Sequence, residues 1–235
     1  MTLVGVVAAL NRFPVKSMMA EPMQRAELHW TGLRGDRTYA FVKQNDRSDF
    51  PWLTARQVPA MVRLAACYTA SDPKHATVQI QAPDGTAWDV RDPALTAYLS
   101  EQAAQPVRLV RVGRGTYDAM PVSVLTDVQV AQVGAAHGGP VGAGRFRANI
   151  VLDTAAGAPP EREWAGREMR FGAEARVRLD WAIPRCAMVA IDPDTAGRDP
   201  EVLRTVVEAF GNRVGTYCAV TKPGLIAVGD PVTLA

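Results

Sequence analysis

One cysteine in this sequence stands where a reactive thiol would be placed. Cys186 follows Arg185 at the end of the run Trp181-Ala182-Ile183-Pro184, and a second apolar run after it closes at Asp192-Pro193. Positive charge lowers a thiol's pKa and a loop gives access, the two conditions for a thiolate ligand or nucleophile. A cysteine at a strand crossing is also a small hydrophobe that simply packs, and this stretch alone leaves both roles open. The other candidates are cations in expected loops, beside glycine, proline or asparagine: Arg34, Arg37, Arg56, Arg145, Arg147 and Arg185. Lys16-Ser17 joins them in the proline-broken run Phe13-Pro14-Val15-Lys16-Ser17. Guanidinium forks and an ammonium held in loops suit a phosphate or carboxylate. Taken singly, each is by default an exposed, solvated cation.

Other chemistries find less support. Three cysteines (Cys67, Cys186, Cys218) and three histidines (His29, His75, His137) are scattered, without the close pairing of a zinc site or a disulfide framework. No heme or flavin site is seen either. Cys67 and Cys218 lie among apolar neighbours and read as structural, whereas His29 and His137 read as surface or turn residues. The four-glycine stretch 137–144 lacks a P-loop lysine and does not join a strand to a helix, so it reads as a mobile loop. Lys plus Arg is 26 against 24 Asp plus Glu, a balance that gives no footprint for nucleic acid or an acidic membrane. The apolar start, residues 1–10, lacks a basic leader and runs into Asn11-Arg12, so a first strand is expected there rather than a signal peptide. No run reaches the ~18 apolar residues of a membrane span. A cytoplasmic protein is expected.

The elements that must position these residues are mostly strands. Aliphatic runs and apolar alternation predict strands over 3–10, 26–30, 38–42, 64–68, 77–80, 88–90 and 107–112. After these come 150–153, 168–171, 175–183, 214–220, 225–228 and 232–234. Helices are predicted where Asp92-Pro93, Thr126-Asp127 and Asp199-Pro200 supply N-caps, the third ending at Gly211. Strand-rich order without a repeated βαβ pattern predicts a mainly β, α+β fold of two barrel-like units with a few helices attached. The glycines around Arg114 mark a seam, dividing an N-terminal unit, 1–113, from a second, 114–235.

Fragments in order along nearly the whole chain then resemble one family. Phe13-Pro14-Val15-Lys16-Ser17, Gly32-Leu33-Arg34-Gly35-Asp36-Arg37 and Thr54-Ala55-Arg56-Gln57 resemble the β-barrel domain found in front of MOSC domains. Phe146-Arg147-Ala148-Asn149-Ile150-Val151, Arg185-Cys186, the run from Ile191 to Gly197 and Pro223 to Val232 resemble the MOSC domain itself. The resemblance implies a molybdenum cofactor: molybdopterin, a pterin dithiolene, holding molybdenum. By matching positions, Cys186 is the thiolate metal ligand at the reacting centre. Lys16, Ser17, Arg37, Arg147 and Arg185 lie around the pterin and its phosphate, and Ser123 and Asn149 line the same pocket. Arg56 and Asp192 stand behind these. A soft thiolate suits a metal already bound by dithiolene sulfur.

The implied activity is oxidoreductase chemistry, reducing N-hydroxylated or N-oxide small molecules by oxygen-atom transfer. Electrons would come from an external ferredoxin-, flavoprotein- or cytochrome-type partner, with no nucleic acid or membrane involved. The alternative is a sulfur carrier or cofactor-delivery protein, with a persulfide on Cys186 and no turnover of its own. Met18 and Met19 depart from the small residue, Cys or Gly, common in the family there. No aminotransferase-like part with a pyridoxal phosphate lysine, and no ferredoxin-like domain, is seen in the sequence. The site is expected between the two units.

Overall fold

The computed structural model describes all residues, 1–235. Its long first strand, β1 (Thr2–Arg12), buries Val4, Val7 and Leu10, and a bulge between Val7 and Ala9 bends it. The short strands β2 (Glu21–Met23), β3 (Arg25–His29), β4 (Gly32–Leu33) and β5 (Tyr39–Lys43) come next. They are followed by β6 (Ala65–Tyr68), β7 (Val78–Gln81), β8 (Ala87–Asp89), helix α1 (Pro93–Gln102) and β9 (Val107–Arg111). The second half runs β10 (Val122–Thr126), α2 (Asp127–His137), β11 (Ile150–Thr154), β12 (Glu168–Phe171) and β13 (Ala175–Pro184). It ends with α3 (Pro200–Phe210), β14 (Arg213–Lys222), β15 (Gly224–Ala227) and β16 (Pro231–Leu234).

Seven strands close on themselves in the order β11-β10-β14-β13-β12-β16-β1, because β1 pairs with β11 as well as with β16. Closure leaves these strands without free edges, and the inward side chains, such as Val124, Leu152, Phe171, Val177 and Val232, fill the interior. Every pairing round the barrel is antiparallel except β10 with β11, which are parallel and joined by α2. A second core, including Phe41, Met61, Ile80 and Leu99, is built by the β5–β9 pair, the β6-β7-β8 sheet and α1. The fold is thus mainly β with three helices, as the sequence predicts. Asp92, Thr126 and Asp199 cap the helices by accepting the N–H of Ala94, Gln129 and Glu201. No helix is long and apolar enough to cross a membrane.

Several local expectations change. β4 occupies what reads as a glycine turn, and β2 has no apolar pattern to announce it. β10 is buried at all five positions, so it shows no alternation. The 137–144 stretch is an α2 cap at Gly138 leading into a 3₁₀ turn over Ala143–Phe146. Cys67 is not packed away: alternation along β6 sends Ala66 inward and leaves Cys67 exposed, while Cys218 is fully buried. The seam near Arg114 falls between β9 and β10. β1 crosses it to lie in the barrel of the later residues, and β15 pairs back onto β3.

Candidate functional site

Beyond β1 the chain turns through Phe13-Pro14 into Lys16-Ser17. This loop is tied to the start of β5: Lys16 N–H donates to Tyr39 O at 2.8 Å, and Tyr39 N–H to Pro14 O at 3.1 Å. Arg37 N–H donates to Phe13 O at 2.6 Å. The buried Asp36 carboxylate joins these loops to the barrel. It accepts Phe13 N–H at 2.7 Å and Asn149 Nδ2–H at 3.1 Å, and it pairs with Arg37. Asn149, 1% exposed, in turn donates to Asn11 O at 3.2 Å and accepts the Ser123 hydroxyl at 3.0 Å.

In front of this hub lies a cleft of about 590 Å³, lined by Lys16, Ser17, Arg37, Ser123, Arg147, Arg185 and Cys186. Seven of the eight predicted residues therefore share one wall-to-wall space. The eighth, Asn149, is behind the wall, bracing Ser123 and Arg37 instead of lining the space. Replacing it with alanine strips a partner from buried Asp36 and from Ser123 together. Asn149→Ala is expected to cost about 2–3 kcal/mol, read from the urea midpoint at unchanged slope.

Ser17, Arg37 and Arg147 have left-handed backbone, with φ of 68°, 48° and 53°. Such conformations cost about 1–3 kcal/mol each and persist where surrounding structure over-determines them. Half of the chain's six non-glycine residues of this kind line the cleft. The Arg37 and Arg147 guanidinium carbons lie 4.6 and 4.3 Å from the centre of the Phe13 ring, whose face partly offsets their mutual repulsion. Arg147 also donates to Met18 O at 2.7 Å. Burial, and then the nearby Arg37, push the Arg147 pKa down to about 9, which still leaves it charged at neutral pH. Burial opposes the Arg37 charge too, but Asp36 more than offsets it, and that pKa is raised. Lys16 is lowered by burial despite its bonds to Asp118 and Thr116 O, both at 2.6 Å.

Cys186 is exposed and opens the 3₁₀ turn Ala187–Ala190. Its neighbour Arg185 turns away along the barrel wall, donating to Val214 O at 2.7 Å and Phe146 O at 2.9 Å. Arg185 Nη2 is buried with no partner. It fits beside Gly215, where a Cβ would stand 2.8 Å from it. Burial pushes the Arg185 pKa down to about 10.

These residues fit an anionic, sulfur-bound cofactor. Six cations line the cleft against one carboxylate, Asp118. Asp36 and Asp192 pair with Arg37 and Arg145, but Arg56, Arg147 and Arg185 have no carboxylate partner. These three are half-buried, and charge partly withdrawn from water without a counterion is costly, so an anion placed here offsets a cost the fold already carries. No group of three His, Cys, Asp or Glu side chains is placed to hold a metal. A metal at Cys186 must bring its other ligands with it, as a dithiolene does. A larger groove, about 750 Å³, lies by β2 and β3, but Arg12 and Arg34 there already pair with Glu21 and Glu27.

Sequence reasoning missed the hub Asp36, although it sits inside the run Gly35-Asp36-Arg37. It also missed Asp118 and the aromatic lining, Phe50, Trp181 and Tyr217, for which no local pattern exists.

Comparison with known proteins gives the MOSC domain over residues 113–233 and the MOSC N-terminal beta barrel domain over 4–120. Mitochondrial amidoxime-reducing component 1 of Xenopus laevis is 27% identical, over 97% of this chain and 82% of that protein. Its Homo sapiens namesake is also 27% identical, over 98% and 83%. Molybdenum cofactor sulfurase of Drosophila grimshawi is 35% identical, over 38% of this chain and 12% of that protein. Among solved structures, the YUAD protein from Bacillus subtilis superposes with a TM-score of 0.53 at 14% identity, covering 99% of this chain and 96% of that one. That is a likeness of fold alone. With its two matches in the order the motifs predict, the chain belongs to the MOSC domain family and carries that family's N-terminal β-barrel domain ahead of the MOSC domain.

Proposed function

We propose that the cleft holds a molybdenum cofactor and that the protein reduces N-hydroxylated or N-oxide small molecules with it. The observation that carries this reading is the exposed Cys186 on a cleft where Arg147 and Arg185 lack carboxylate partners and Arg185 Nη2 lacks any partner. When bound, the cofactor supplies two-electron oxygen-atom transfer. The chain's own residues bind and orient. Cys186 Sγ is the protein ligand to the metal. Lys16, Arg37 and Arg147 neutralise the pterin phosphate, while Ser17, Ser123 and Arg185 complete the contacts. Asn149 holds Ser123 and Arg37 in place. Electrons arrive from a separate redox protein of ferredoxin, flavoprotein or cytochrome type. The names of the amidoxime-reducing relatives support the reaction class.

Protein made in a cofactor-competent host is expected to contain stoichiometric molybdenum and pterin. It should also reduce benzamidoxime with an artificial electron donor. Metal-free, pterin-free protein from that host, inactive in the assay, overturns the proposal. The exposure of Cys186 and the partial likeness to a cofactor sulfurase favour one second reading, a persulfide carrier. Intact mass separates the two, since a persulfide adds one sulfur atom on Cys186 without metal.

A further inference from the structure

The strand pair that lines the cleft is deformed where it does so. Leu179 pairs with Cys218 and Ala182 with Thr216, so Asp180 and Trp181 stand together opposite the single Tyr217. One step on, Pro184 pairs with Arg213, so Ile183 alone faces Val214 and Gly215, the latter with φ of 76°. These are two bulges in succession, one on each strand. A bulge sacrifices ladder pairing and re-aims side chains, and bulges concentrate next to active sites.

Here they bring Trp181 edge-on to Tyr217, with ring centres 6.1 Å apart at 71°, and both rings line the cleft. Trp181 remains 46% exposed, and Ile183 and Met188 line the same space. The cleft thus has two chemical sides. Arg37 and Arg147 gather over Phe13, and an apolar, aromatic side comes from Trp181 and Ile183 of β13, Tyr217 of β14 and Met188 just after Cys186. The cationic side suits an anion. A large ring left in water at the mouth of a polar cleft suits a flat apolar group.

We infer that Trp181 and Tyr217 form the subsite for the organic part of the substrate and that it favours molecules carrying a planar aromatic ring over small aliphatic ones. This deepens the proposed function and rests on it. The subsite selects by stacking and edge contact with the organic part of the substrate, leaving its N–O group toward the Cys186 side.

The experiment compares Trp181→Leu and Trp181→Phe with the unaltered protein, all purified from a cofactor-competent host. Because Trp181 is half in water, neither change threatens folding. Two measurements are made: benzamidine affinity by calorimetry, and the ratio of kcat/KM for benzamidoxime over that for methylhydroxylamine. In Trp181→Leu both are expected to fall about tenfold, the size of a lost aromatic contact plus buried ring area. Trp181→Phe should recover most of the loss. Benzamidine affinity and substrate ratio both unchanged in Trp181→Leu overturn the subsite. If the proteins carry no molybdenum, the cofactor reading fails by itself, and the affinity of neutral benzamide, a planar ring that the cationic cleft does not repel, then decides the subsite.

Discussion

Cys186→Ala protein from a cofactor-competent host is expected to hold less than about a tenth of the molybdenum of the unaltered protein and to lose benzamidoxime reduction at least about a hundredfold. Loss of even a residue behind a metal ligand costs that order, and on the proposed reading this substitution removes the ligand itself. Nothing nearby can replace it: Cys186 is the one thiol lining the cleft, and no cluster of other ligating side chains exists. The side chain is exposed, so its removal leaves no cavity, and stability of the metal-free forms should agree within about 0.5 kcal/mol. That agreement separates a lost ligand from a damaged fold. Stoichiometric metal persisting in Cys186→Ala would refute the thiolate assignment. A sulfur adduct present in the unaltered protein and absent in the variant, with no metal in either, would establish the persulfide role instead.

Gly5→Ala is expected to destabilise the protein by about 3–5 kcal/mol, measured as a lowered urea midpoint. Gly5 sits where β1 pairs on both sides, with Thr154 of β11 and Val232 of β16. Its φ is +153°, and an added Cβ would lie 2.1 Å from Asp153 O, with the Asp153 carbonyl carbon and Thr154 Cα next nearest. All three atoms are backbone, so no flexible side chain can yield. The strand must shift, and that opens the pairing that closes the barrel. Gly85→Ala is the control. Gly85 also has positive φ, at +89°, but nothing lies within 4 Å of its Cβ position, so only the conformational cost of about 1 kcal/mol is expected there. Equal losses at the two sites would show that the β1–β11 contact contributes little to stability.

What the sequence made legible follows from how local each signal is. The helices were readable because Asp92, Thr126 and Asp199 announce their own starts. Strands such as β12 and β13 were readable because one face is buried and alternation survives. β10 was not, being buried throughout. The membership of β1 in the later barrel is set by partners far along the chain, and no pattern within residues 2–12 encodes it. At the site, loop cations and Cys186 were visible one by one, since glycine and proline flag loops. Arg185 illustrates the limit. Its place beside Cys186 suggested service to the thiol, yet two of its nitrogens are spent on the carbonyls of Val214 and Phe146. Trp181 and Tyr217 were invisible for a different reason. Simple alternation does not hold across a bulge, so the face a residue will occupy there cannot be counted off.

The crossing of β1 into the later barrel also sets an order of events during synthesis. β1 is made early, but its partners β11 and β16 follow much later, β16 at the very end of these residues. Contacts so distant in sequence form slowly and late. Lys16 and Arg37 hang from segments made before β10, whereas Ser123, Arg147, Arg185 and Cys186 come after it starts. A chain that stops short of β11 therefore lacks both the thiol and the strand that β1 pairs with beside the cationic loops. A ligand that needs both sets of groups can be held only after the chain has been made well past β10 and has folded back on β1.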